Sequence, residues 1–446
     1  MRQDGAGREG AGMAPSVAVA LLLLLVPLSS AKPTKAVLNV TITWDVIADG
    51  VLDDSTMEVS VPSNSANQVV LSQDISDPYL IVSDSGGSKL EFSFSGVRAK
   101  RITGSFLVQT DYFNRTATTD APNSPNLVGN TSTIVITPEI AALAETFRPL
   151  AFPQDVIGEV NWTFNNIRYN MSYYDVTVND IIGVTMPSDW VFKNRVGVCD
   201  ELSNMLASMT RSEGYPTRVI TGYAYVDGKW TPHAWIEVYS QKYGWIEADP
   251  THNQFLNLNA LRVRIGMADD MEDLRDAINA TSKDAKSVSL ETDVDIRLVN
   301  YSEGEAVDFE VTFLPQPPLE ETQPVLIKAR NMANAVVYTS FMFVPPMTVD
   351  CGDCQGRIVL DPNQTKEVEL MLRLPQLAPN IKYTFPSTLM SDYGRMNVSF
   401  ERMQIEQSIG EKYASVQDLP VSFKLFVGLF LIGAVALVAI AILLGW

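Results

Sequence analysis

The sequence predicts an α+β fold: helices packed on an antiparallel sheet in the middle of the chain, β-rich domains on either side, and one C-terminal transmembrane helix. Three patterns lead there. Short strands punctuated by turn residues fill residues 35–135 and return after 288, while apolar residues at helical spacing occur between them, at 137–167 and 200–213. Last, residues 425–446 run without a charge, and 22 residues at 1.5 Å each reach about 33 Å, enough for a hydrocarbon core.

From the start of the chain, residues 17–26 are unbroken and apolar, Arg2 and Arg8 lie upstream, and small residues precede Ala31. That layout is a secretory signal peptide over 1–31, its apolar run too short to span a bilayer. Residues 32–135 read as an N-terminal β-rich domain, with strands at 36–44, 90–94 and 102–111, a break at 85–88, and a linker over 120–132. The central domain spans 136–265. Thr137 and Pro138 suit a helix cap and first turn, followed by Ile140, Leu143, Ala144 and Phe147 on one face. A second helix covers 154–167, with Val156, Val160, Phe164 and Ile167 aligned. A third covers 200–213, with Leu202, Met205, Leu206 and Met209 inward and Gly214 and Pro216 ending it. Residues 266–287, rich in acids from Asp269 to Asp276, read as an acidic helical linker with a solvated face. Seven short strands over 288–410 suggest an immunoglobulin-like β-sandwich. Residues 411–424 are juxtamembrane and 425–446 the transmembrane helix. The flanking β domains read as spacers.

A net charge of −19 with no basic stripe argues against a nucleic-acid partner. Nine Asn-x-Ser/Thr sequons (Asn39, Asn114, Asn130, Asn161, Asn170, Asn279, Asn300, Asn363 and Asn397) fit a membrane-anchored glycoprotein whose bulk faces outside the cytoplasm. Of three cysteines, Cys351 and Cys354 form Cys-Gly-Asp-Cys, a local disulfide outside the cytoplasm. A zinc site would need two more ligands from a chain with two histidines, so no metal is expected. Cys199 is left as an odd, free thiol.

That thiol opens the third helix, where unpaired N–H groups and the helix dipole favour a thiolate. Strands at 218–226, 233–239 and 245–249 follow, joined by tight turns. His233 and Asp249 are 16 apart, an even number, so a three- or five-residue loop pairs them directly, together with Trp235 and Glu247, and with Glu237 and Trp245. Directly opposed side chains lie about 4.5–5.5 Å apart at Cβ. Nδ1–H of the imidazole then meets the carboxylate and Nε2 faces the thiol, whereas a one-residue slip would turn Asp249 to the other face. His252, past the strand, has no evident orienting carboxylate.

At this point the residues resemble a known family. Gly197-Val198-Cys199-Asp200-Glu201, Arg211 to Arg218, Gly222-Tyr223-Ala224, His233-Ala234-Trp235-Ile236-Glu237-Val238 and Gly244 to Thr251 look like the core of the transglutaminase-like superfamily, over roughly 140–265. The resemblance implies a papain-like helix on an antiparallel sheet, with Cys199 as nucleophile, His233 as base and acid, and Asp249 as orienting carboxylate. It implies attack on amides through a thioester. The Cys199 N–H suits an oxyanion donor. Trp162 and Trp190 are candidates for the second, while Tyr223 and Trp235 are cleft candidates. No cofactor is expected, with a calcium requirement left open, and the paired CxxC zinc motif of the superfamily's deglycosylating amidases is absent from the sequence. The expected function is a cysteine peptidase acting on protein or peptide substrates at the cell surface. Protein crosslinking and a non-catalytic surface module are the alternatives.

Overall fold

The computed structural model describes residues 33–84, 87–112, 122, 125–170, 185–256, 258–304, 306–317 and 320–404. The expected signal peptide, juxtamembrane segment, transmembrane helix and Asn114 lie outside these residues. Among the described residues no helix is long and apolar enough to cross a membrane.

The chain opens with six strands: β1 (Pro33–Leu52), β2 (Asp54–Ser60), β3 (Gln68–Ile75), β4 (Leu80–Asp84), β5 (Gly87–Phe94) and β6 (Val97–Asp111). Alternation in β1 is nearly strict. Ala36, Leu38, Val40, Ile42, Trp44 and Val46 are all buried, and the residues between them face outward. Burying such a side chain contributes roughly 1.5–3 kcal/mol, so one strand anchors much of the first core.

The central unit follows. Its helices are α1 (Pro138–Glu145), capped by the Thr137 hydroxyl accepting the Ile140 N–H at 3.3 Å, then α2 (Gln154–Asn166), α3 (Ser188–Asn194) and α4 (Cys199–Ser212). The short strands β7 (Arg168–Tyr169) and β8 (Val196–Gly197) pair in parallel just before α4. Next come β9 (Thr217–Val226), β10 (Lys229–Ser240), β11 (Gly244–Asp249), β12 (Gln254–Phe255) and β13 (Arg262–Ala268), an antiparallel sheet in the order β12-β11-β10-β9-β13. The β9–β10 turn is Asp227-Gly228, both at positive φ, the pairing a two-residue hairpin favours. Even-numbered residues of β10 and β11 (Ala234, Ile236, Val238, Ile246, Ala248) share a core with Leu206 and Ala207 of α4. Helices therefore cover one face of the sheet, and nearly all of α4 is buried.

Two expectations within the helices change. Val156, Val160 and Ile167 are buried as expected, but Phe164 is 44% exposed, and Asp155, Glu159 and Thr163 also face inward on α2, so the buried stripe is shifted toward one side of the apolar one read from sequence. The acidic helical linker is instead one 3₁₀ turn (Met271–Leu274) and a strand, β14 (Ala277–Thr281). Its acids are committed: Asp270 accepts the Thr133 and Glu272 N–H groups, and Asp276 that of Ser60.

The strand starting at Val288, assigned by sequence to the last domain, pairs with the first. β15 (Val288–Glu303) runs antiparallel to β1, and β14 to β2. Both sheets of the first sandwich, β15-β1-β6-β3 and β14-β2-β5-β4, are thus completed from beyond the central unit. This sandwich covers the second face of the central sheet. Ile220, Trp235, Leu258, Ala260 and Val263 belong to the same core as Val40 and Phe106. Polar contacts fix the seam: Gln68 Nε2 donates to the Arg264 carbonyl and accepts the Arg264 N–H through Oε1, at 2.9 and 2.8 Å, and Asn67 donates to Glu247 at 3.0 Å.

The remaining strands, β16 (Val307–Phe313), β17 (Thr322–Asn331), β18 (Val337–Val344), β19 (Gln355–Leu360), β20 (Thr365–Arg373), β21 (Lys382–Ser391) and β22 (Gly394–Met403), form two sheets, β16-β17-β20 and β19-β18-β21-β22, around their own core. Cys351 and Cys354 are disulfide-bonded beside it, and Cys199 is the free thiol. Of the described sequon asparagines none is buried: Asn39, Asn130, Asn279, Asn300, Asn363 and Asn397 are exposed, and Asn161 and Asn170 half-buried.

Candidate active site

Cys199 is the first residue of α4. Gly197 precedes it because a Cβ there would stand 2.4 Å from that of Glu201. Glu201 is fully buried and accepts the Val198 N–H at 2.9 Å and the Met186 N–H at 3.0 Å, which pins the entry to the helix. Val198 offers no side-chain acceptor, so the first-turn N–H of Cys199 has no protein acceptor among the described residues. The sulfur itself donates to Asp200 Oδ1 at 3.3 Å and lies against the Ala234 N–H.

These surroundings oppose the expected thiolate. Burial pushes the Cys199 thiol well up, and the Asp200 carboxylate adds to it; the Ala234 N–H opposes them and loses. A helix terminus is worth roughly 0.3–1 kcal/mol at an exposed site. Desolvation of a sulfur anion beside a carboxylate exceeds that. Burial and Asp200 thus work against the thiolate that the helix start favours.

His233 and Asp249 share a face of the sheet, in a register two residues from the expected one. Glu237 pairs with Glu247 and Tyr239 with Trp245, because the loop is residues 241–243, closed by Gly244 at φ 71°. Parity survives, so His233 meets Asp249 diagonally, Nε2 to Oδ2 at 2.8 Å. The nitrogen is the other one from that expected. Since an ionised carboxylate only accepts, Nε2 must carry the proton and Nδ1 keeps its lone pair. Gly222, opposite His233, permits a close crossing: a Cβ there would fall 2.0 Å from the Val263 carbonyl on β13.

Asp249 is fully buried. Its Oδ1 accepts the Thr251 and His252 N–H groups at 2.9 and 3.2 Å. Its Oδ2 accepts from His233, from His252 Nδ1 at 2.8 Å and from Arg262 Nη2 at 2.6 Å. Burial raises its pKa, but Arg262, then His233 and His252, outweigh that and hold the carboxyl well below the usual carboxylate range. His252 therefore has an orienting carboxylate after all, the same one as His233, and the two rings lie 4.8 Å apart edge to face. His233, Asp249 and His252 bring possible metal-ligand atoms within 4.8 Å of one another. With Arg262 on Oδ2 and both imidazoles donating to it, the cluster is arranged as a hydrogen-bonded relay.

A cavity of about 1190 Å³ opens over these groups, lined by Cys199, Asp200, His233, Thr251, His252 and Tyr223 among others. Of the cleft candidates, Tyr223 lines it. Trp235 does not; it stacks beside His233 at 6.1 Å and donates to Glu247 at 3.3 Å, supporting the site from within the core. Trp162 stacks on Phe192 under Arg195, and Trp190 packs in the same helical core, so neither lines the cavity as an oxyanion donor. Sequence reasoning missed Arg262, Asp200 and the role of His252. The Asp249-Pro250-Thr251-His252 turn was a signal for the last; Arg262 left none, because it arrives from the far edge strand.

Residues 154–250 match the sequence model of the transglutaminase-like superfamily. A protein-glutamine gamma-glutamyltransferase of Pseudomonas aeruginosa is 27% identical over 153 residues, 31% of this chain and 22% of that protein, so the match spans about a fifth of the curated relative. Among solved structures, a protein assigned as a cysteine protease from Cytophaga hutchinsonii aligns with 61% of this chain and 92% of its own, at 18% identity and a TM-score of 0.44. The transglutaminase of red sea bream aligns with 85% of this chain and 81% of its own, at 10% identity and a TM-score of 0.22.

Proposed function

We propose that the protein is a thiol hydrolase that cleaves protein or isopeptide amide bonds through a thioester on Cys199, on a membrane-anchored chain whose bulk lies outside the cytoplasm. One observation carries the chemistry: a free thiol at a helix start shares a cavity with an imidazole whose far nitrogen is held by a buried, ionised carboxylate. The transglutaminase-like match over residues 154–250 supports the same roles.

In the first half-reaction the Cys199 S–H turns from Asp200 and gives its proton to His233 Nδ1 as sulfur bonds to the amide carbon. Asp249, across Nε2–H, stabilises the imidazolium that forms. The Cys199 N–H is the oxyanion donor. His233 then protonates the leaving amine and the C–N bond breaks. A water gives a proton to His233, adds to the thioester and expels sulfur as the restored thiol. No metal or cofactor enters these steps. The apolar runs at 17–26 and 425–446 and the accessible sequon asparagines support the proposed location.

The test is turnover of a glutamine-containing peptide and of an isopeptide-linked substrate, with peptide- and isopeptide-bond cleavage measured for the wild type and for Cys199→Ala. We expect no turnover from the variant and an unchanged melting curve. A folded variant that still turns over would remove the thiol from the mechanism. A second reading, acyl transfer to an amine, is favoured by the name of the Pseudomonas relative. Adding a labelled primary amine to the same assay separates the two, since incorporation in excess of hydrolysis makes the protein a crosslinking enzyme.

A further inference from the structure

The cavity over Cys199 continues beyond the catalytic unit into the first sandwich. Ile42, Tyr223, Ile265, Leu274 and Val294 give it apolar walls there, and Asp276 stands in the same wall. This carboxylate is fixed. Its Oδ1 accepts the Ser60 N–H at 2.9 Å and its Oδ2 the Thr292 hydroxyl at 3.3 Å. It differs from the carboxylates buried behind the cavity: Glu237 has Arg218 and Arg264, and Asp249 has Arg262. Asp276 has no cation within ion-pair distance among the described residues. Lys89 comes near enough to attract it, yet gives its ammonium to the Asp273 carbonyl at 2.8 Å. The rest of the lining does not supply the missing charge, with Asp200 and Asp227 facing a single Lys229.

We propose that Asp276 is a specificity determinant that receives a basic side chain, lysine or arginine, of the acyl-donor substrate. The proposal rests on reading Cys199 as the acyl-accepting thiol. An apolar arm ending in a carboxylate held by neutral donors matches an aliphatic stem carrying a cation: the stem contacts Ile42, Leu274 and Val294, and the cation completes the pairing that Asp276 lacks. The group bound there is a recognition element. An ammonium paired with a carboxylate has no lone pair and does not attack a thioester, so this site is distinct from one for an acceptor amine.

Alkylation of Cys199 tests the proposal without an identified substrate. In that reaction the Sγ–C bond forms, C–I breaks, iodide leaves, and the thiol proton passes to His233 and then to buffer. Rates are measured with Nα-iodoacetyl-lysine amide and Nα-iodoacetyl-norleucine amide, each divided by the rate with iodoacetamide on the same variant. The lysine probe is expected to react about tenfold faster than the norleucine probe, a preference equivalent to 1.4 kcal/mol. Asp276→Asn, near-isosteric and able to keep the Ser60 contact, is expected to bring the ratio to about one, with Asp227→Asn leaving most of it. Equal rates in the wild type, a ratio that persists in Asp276→Asn, or a ratio lost equally in Asp227→Asn would each overturn it. Should Cys199→Ala turn over peptide as the wild type does, the enzyme reading fails, while the ratio of the two probes still decides the role of Asp276.

Discussion

Replacing Asp249 by Asn isolates the charge at the centre of the site while keeping its shape. The amide has two orientations. With its nitrogen at the Oδ2 position it would confront three donors, from His233, His252 and Arg262; with its nitrogen at Oδ1 it confronts two backbone N–H groups. The second is less costly, so His233 Nε2–H keeps a neutral acceptor and its tautomer. What it loses is the negative charge opposite a developing imidazolium, and turnover should fall, by less than the factor of about 10⁴ seen where the same replacement also leaves the wrong tautomer. Arg262, its head group otherwise meeting Gln254 at 3.1 Å, becomes a buried uncompensated charge, which costs on the order of 3–5 kcal/mol of stability. The two effects separate in a double variant. Arg262→Met in the Asp249→Asn background should recover most of the stability and none of the activity, read by chemical denaturation and peptide turnover. If activity returns with stability, Asp249 is a structural residue and the triad reading is wrong. The sign in pH follows from the lowered pKa of Asp249: its contribution is present above the ordinary carboxylate value of about 3.9 and is lost as pH falls below it. Wild type should therefore lose more stability than Asp249→Asn on acidification through that range.

Three further outcomes are expected. Asp200→Asn removes a carboxylate that raises the Cys199 thiol, so alkylation at neutral pH should speed up and the midpoint of its pH–rate curve move down; an unmoved midpoint would refute the coupling. Glu213, raised to about 7 first by burial and then by Asp155, is protonated longer in the folded state. Its contribution is complete below about 4.5 and fades as pH rises through about 7, so Glu213→Gln should raise the melting temperature at pH 8 and leave it unchanged at pH 4. His252→Ala spares the His233–Asp249 bond and should cost turnover less than the roughly 10²–10⁴-fold that one general acid–base contact contributes, whereas His233→Ala abolishes it; equal losses would make His252 the base.

What the sequence revealed about the site followed from period two. Spacing put His233 and Asp249 on one face, and this held although the loop fell at residues 241–243 rather than one position earlier. A shift of two preserves faces and changes only who stands opposite whom. The same periodicity marked residues 288–303 as strands but not their neighbour, because alternation identifies the buried face and says nothing of the adjoining edge; β1 claims this strand from more than two hundred residues away. The edge of the inward face of α2 was misread for a different reason. Asp155 finds the Tyr215 hydroxyl at 2.6 Å, a partner that lets a carboxylate sit beside Val156 on the buried side while Phe164 is left exposed. The upward push on the Cys199 pKa was not legible because a helix start is visible in sequence, while the burial that opposes it most is tertiary.

That burial changes what the first sandwich is for. The face of the sheet bearing His233, Trp235, Glu237, Glu247 and Asp249 points away from the helices, and without a cover it would meet water. With β1 and β6 across it, Trp235 is 1% exposed, Asp249 0% and Glu237 2%. Coulomb interactions strengthen as the effective dielectric falls, so the Asp249–Arg262–His233 cluster depends on strands drawn from both sides of the central unit in sequence. Burial acts in the opposite sense on Cys199, pushing its pKa up together with the Asp200 carboxylate. One feature, exclusion of water, thus strengthens the ionised carboxyl of Asp249 and works against a free thiolate at Cys199. Removing residues 33–112 should leave the helix-on-sheet core with a hydrated Asp249 and a Cys199 of lower pKa. Such a thiol would alkylate faster than that of the intact protein while turning over peptide more slowly, and a truncated form with unchanged alkylation would show that the sandwich is merely a spacer.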